Sequence, residues 1–111
     1  MSRVVIAAFK PLPGKEDELI ECLAIRLPLL RNLGLATDRA NITMRAADGT
    51  ILDVSEWVDD AAIAAAHQLP EVLELWQRFE KCSDYRRLNS LAEAQHDFAT
   101  FETVVLQDGS T

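Results

Sequence analysis

Ala47-Asp48-Gly49 followed by Ile51-Leu52-Asp53-Val54-Ser55-Glu56-Trp57 is a turn signal running into seven residues of strand character, and the parity of these positions decides the fold. Residues 37–47 and 50–58 read as the two arms of a hairpin around Asp48-Gly49. Even-numbered Ile42, Met44, Leu52 and Val54 are apolar, whereas odd-numbered Asn41, Thr43, Arg45, Asp53 and Ser55 are polar. Side chains alternate across a strand, so two even positions share a face only when the loop holds an odd number of residues. This favours a three-residue loop, Ala47-Asp48-Gly49, with Gly49 left-handed. The alternation then places Ile42, Met44, Leu52 and Val54 against helices and lines the opposite face with Asn41, Thr43, Arg45, Asp53, Ser55 and Trp57.

Upstream, residues 3–10 are apolar at both parities, the mark of a strand buried on both faces. Lys15-Glu16-Asp17-Glu18 opens a helix with acid in its first turn, where the helix dipole favours negative charge. Leu19, Leu23, Leu27, Leu30 and Leu33, with Ile20, form its expected core stripe; Pro28 should bend or break it, and Gly34 should end it. Downstream, Asp59 or Asp60 caps a short helix over residues 61–68, and Pro70 starts another. Val72, Leu75, Trp76, Phe79 and Cys82 are the buried stripe of that second helix, with Glu74 and Arg78 paired on its wet side. Residues 85–89 read as connecting chain, Ser90 to Glu93 as a capping box, and residues 97–106 as the closing strand.

Strand, helix, two strands, helices, strand is the order of a ferredoxin-like split βαβ fold, an α+β architecture with a four-stranded antiparallel sheet. We expect one such domain over residues 1–106 and a flexible tail over 107–111. Helices cover only one face of such a sheet. The apolar residues left on the other face lead us to expect a homodimer in which two sheets pack face to face.

Composition narrows function by exclusion. A net charge of −7 with scattered basic residues argues against a nucleic-acid groove or an anionic membrane surface as partner. No apolar run approaches the roughly 20 residues that cross a bilayer, and the chain enters its first strand without a signal-peptide pattern, so a cytoplasmic location is expected. Cys22 and Cys82 lack metal-ligand or redox spacing and read as packing residues. No metal is expected.

The opening strand into Pro13-Gly14-Lys15-Glu16-Asp17-Glu18-Leu19, Pro28-Leu29-Leu30-Arg31 before Gly34-Leu35, Asp48-Gly49, Glu56-Trp57 ahead of an Ala-rich helix with His67, and the closing Phe98 to Val105 segment together resemble the antibiotic biosynthesis monooxygenase-like family of dimeric α/β barrels. The resemblance covers nearly the whole chain. It implies a dimeric barrel and a monooxygenase that needs no metal or flavin and acts on an aromatic, quinol or polyketide-like phenol. The family's haem-degrading members carry an Asn on the first strand and a helical Trp; here Ala7 and Ala8 occupy that strand and Ala66 stands near the helical position, which argues against haem.

On this reading His67 is the base that takes a phenolic or enolic proton, Trp57 is a wall for a flat ligand, and Asn41, Thr43, Arg45 and Ser55 orient its polar groups. Each residue also has a plainer explanation. His67 fits a helix-end imidazole bonded to backbone or water, Arg45 and Asp53 a cross-strand pair, and Trp76 a core residue. Two other functions suit the same scaffold: a non-catalytic small-molecule-binding or structural dimer, and an isomerase or cyclase.

Overall fold

A computed structural model describes residues 1–106; the expected tail, 107–111, lies outside the described residues. The described residues form an α+β fold, with a five-stranded antiparallel sheet and three α-helices. Its elements are β1 (Arg3–Pro11), α1 (Glu16–Asn32), β2 (Ile42–Arg45), β3 (Ile51–Trp57), α2 (Asp60–Ala66), α3 (Pro70–Cys82), β4 (Ser83–Arg86) and β5 (Glu102–Val104). The sheet order is β4-β1-β3-β2-β5. The four strands expected from sequence are thus five. The segment read partly as connecting chain supplies β4, which pairs with β1 through Phe9 opposite Tyr85. The expected closing strand shrinks to three residues and joins the far edge, beside β2. Ser83-Asp84-Tyr85-Arg86 shows no apolar alternation, and an edge strand held by backbone bonding to one neighbour needs none.

The hairpin has the expected register. Met44 faces Leu52, Ile42 faces Val54, and Ala46 N–H donates to Thr50 O at 2.8 Å, leaving Ala47-Asp48-Gly49 as the loop. Gly49 has φ +93°. Asp48 accepts from Thr50 N–H, which holds its carboxyl below the usual range. Gly49→Val should destabilise by on the order of 1 kcal/mol or more, because a β-branched residue is strained at positive φ. Urea unfolding measures this, and an unchanged midpoint would mean the turn can adopt another shape.

The faces of the hairpin are the reverse of those expected. Ile51 and Trp57 pack under the helices, and the odd-numbered residues between them lie on the same side. Leu52 instead packs with Ala8, Ala46 and Leu91 on the other face, half of which is covered by two 3-10 turns, Leu88–Ser90 and Ala92–Gln95, with Phe101. Glu93 does not close a capping box; it accepts from Ala47 N–H at 2.7 Å and ties this cover to the hairpin. The remainder of that face is open, with Val4 60%, Ile6 46% and Ile42 58% exposed.

Helix α1 is continuous through Pro28 and ends in a Schellman turn, Gly34 (φ +75°) donating to Arg31 O and Leu35 N–H to Leu30 O, both at 2.9 Å. Asp59 caps α2 through Ala62 N–H at 2.8 Å, and Pro70 sits in the first turn of α3. Val72, Leu75, Phe79 and Cys82 are buried as expected. Trp76 is only half-buried, and Arg78 reaches Glu21 on α1 rather than Glu74. Leu19, Cys22, Leu23 and Leu30 form the buried stripe of α1, but Arg26 occupies the place expected of a leucine.

Candidate functional site

Arg26 and Asp53 are 6% and 1% exposed. The guanidinium Nη1 donates to Asp53 Oδ2 at 2.6 Å, Thr43 Oγ1 donates to Oδ1 at 3.1 Å, and Asn41 Nδ2 reaches both carboxylate oxygens at 3.1 and 3.0 Å. Burial pushes the Asp53 carboxyl up, against the opposing pull of Arg26 and the donated hydrogen bonds. The cluster divides the helix-side core: Ile51 and Phe79 belong to one apolar group, Trp57 and Val72 to another. A charged residue in the apolar stripe of a helix, set over a strand that turns an acid inward, is the feature the sequence reading missed. The signal was available, since Arg26 follows Leu23 by three and precedes Leu30 by four, on the buried face.

A pocket of about 320 Å³ opens between the sheet and the helices, lined by Ala7, Phe9, Arg26, His67, Trp76, Phe79 and Tyr85. A larger hollow of about 650 Å³ around Lys10, Pro13 and Arg86 is a more open surface groove without aromatic walls. The strand β1 brings Ala7 and Phe9 to the pocket, β4 places Tyr85 beside Phe9, and α3 supplies Trp76 and Phe79. Phe9 and Phe79 stack, with centroids 4.8 Å apart at 21°, and Tyr85 leans on Phe9 at 5.6 Å. His67, the C-cap of α2, is exposed and meets Trp76 edge-on at 5.0 Å. The Tyr85 hydroxyl is pushed up by burial and by Glu80, with Arg26 opposing.

Of the site residues expected from sequence, His67, Trp57, Asn41, Thr43, Arg45 and Ser55, only His67 borders this pocket. Trp57 is buried with Leu30, Leu35 and Val72, its Nε1 without a partner among the described residues; the tryptophan that lines the pocket is Trp76. Asn41 and Thr43 serve the Asp53 cluster. Arg45 pairs with Glu16 and Glu102 rather than Asp53. Ser55 is buried on the helix side with its hydroxyl unpartnered among the described residues. The reversal of faces explains these displacements: the polar face of the hairpin lies beneath the helices, where Asn41 and Thr43 bond to Asp53. Among the described residues no group of His, Cys, Asp and Glu could hold a metal ion, and no helix is long and apolar enough to cross a membrane.

No family model, curated protein or solved structure matches the chain.

Proposed function

We propose that the pocket binds a flat aromatic phenol or quinol and that the protein acts on it as a cofactor-independent monooxygenase. The observation that carries this reading is the meeting of His67 with Trp76 at the mouth of a pocket walled by Phe9, Phe79 and Tyr85. Its volume of about 320 Å³ is at the lower end of small-molecule sites. His67 takes the acidic proton of the ligand, and the resulting carbanion forms a C–O bond with dioxygen. The His67 imidazolium returns its proton to the peroxide, and loss of water from the resulting hydroperoxide, which takes the second hydrogen of that carbon, leaves a carbonyl, so one oxygen atom of dioxygen enters product and the other leaves as water.

Oxygen uptake with a panel of anthrones and quinols tests this. His67→Ala should lower turnover by roughly 10²–10⁴-fold, and Trp76→Ala should chiefly raise KM. Unchanged turnover without His67 would remove it as the base. The exposure of His67 and Tyr85 favours one other reading, a ligand-binding protein without turnover, because water entering the mouth would quench a carbanion. A thermal shift with ligand and no oxygen uptake would select it.

The proposal includes a ferredoxin-like fold assembled as a dimeric barrel. The partial order β4-β1-β3-β2 supports the first element, with β5 added at the edge. Ile6 and Ile42 flank Val54 across three adjacent strands, with Val4 alongside, forming an open apolar patch that a second copy would cover. Sedimentation should show a dimer at micromolar concentration, with a melting temperature that rises with concentration. A stable monomer would overturn this assembly.

A further inference from the structure

We propose that the natural ligand of this pocket is an aromatic carboxylate, its carboxylate held by the Nε–Nη2 edge of Arg26. The inference rests on reading the pocket as an aromatic-ligand site and adds the charged group that the ligand must carry.

The support is an imbalance in how the arginines are used. Arg3 is exposed, yet donates through Nε and Nη2 to both oxygens of Asp60, each at 3.0 Å. Arg31 uses the same two nitrogens for the carbonyls of Thr37 and Arg39. Arg26 is nearly buried, where an unmade hydrogen bond costs most, and donates only through Nη1 among the described residues. Its Nε and Nη2, the edge that matches a carboxylate in a two-pronged fit, have no partner among those residues. Arg26 lines this pocket.

Asp53 does not compete for that edge. Its carboxylate is supplied by Thr43, Asn41 and Nη1, so it holds the guanidinium in place while leaving the second edge free. Asp53 is therefore a positioning residue. The rings of Phe9, Phe79 and Trp76 bound the same space, which fits a planar aromatic frame attached to the carboxylate. A phenolate offers one oxygen and a neutral amide one acceptor; of the three groups, the carboxylate alone fills both N–H positions with charge.

Calorimetric titration of the full chain with 2-naphthoate, 2-naphthamide and 2-naphthol tests the inference. The expected result is that naphthoate binds about 10- to 100-fold tighter than naphthamide. The Arg26 Nε–H resonance should also shift on addition of naphthoate to the unmodified protein. In the double variant Arg26→Met, Asp53→Asn, which removes both charges together, the preference for naphthoate should vanish while naphthol binding persists. Naphthol binding with no preference for naphthoate over naphthamide would overturn the carboxylate inference and leave the aromatic pocket intact. A preference that survives in the double variant, or an Nε–H resonance that does not move, would equally overturn it. Failure of all three compounds to bind would overturn the pocket reading itself.

Discussion

Replacing Arg26 alone by Met should destabilise the protein by about 3–5 kcal/mol, although Met fills nearly the same volume and is more hydrophobic. The loss comes from what remains. Asp53, 1% exposed, keeps its charge beneath α1 with only Asn41 and Thr43 as donors, and a buried carboxylate without its countercharge is strongly disfavoured. The double variant Arg26→Met, Asp53→Asn should recover most of that loss, because removing both partners of a buried pair is often close to neutral. The amide carbonyl introduced in place of Asp53 can still accept from Thr43. Urea denaturation of wild type and the two variants separates these cases. Equal stability of Arg26→Met and wild type would mean that water reaches Asp53 when the guanidinium is gone.

Phe79→Ala should cost a similar amount, about 3–5 kcal/mol, by leaving a cavity in the larger core group. Phe79 is 1% exposed, stacks on Phe9 and packs with Leu19, Leu23, Ile51 and Leu75. Helix α1, helix α3 and two central strands all meet there, so no single element can shift to fill the void. For a domain whose total stability is about 5–15 kcal/mol, such a variant would be marginal at room temperature. Near-wild-type stability in thermal or urea unfolding would show that the core collapses around the missing ring. Trp76, half-buried at the pocket, should tolerate truncation better than Phe79.

The reversed hairpin faces show how far sequence pattern reaches. Parity placed Met44 with Leu52 and Ile42 with Val54 and required an odd loop ending in a left-handed Gly49, all of which the backbone has. Period and capping likewise located α1, α2 and α3, because helix ends are decided by residues within a turn or two: Asp59, Pro70, and Gly34 after Leu33. Such features depend on neighbours in the chain.

The sequence by itself determined the α+β class, the order of its helices and central strands, and the hairpin register. Tertiary structure decided which face of the hairpin turns inward. An apolar-inside rule selects the even face, but Arg26, twenty-seven residues before Asp53, supplies the countercharge that makes the polar odd face buriable. The same long-range contact decides the candidate site. Arg26, Tyr85 and Trp76 come from three different elements and join His67 only when α1, α3 and β4 close on β1. Local pattern records what each residue prefers; whether a charged or polar side chain can satisfy its groups while buried depends on partners that the fold alone brings within hydrogen-bonding reach.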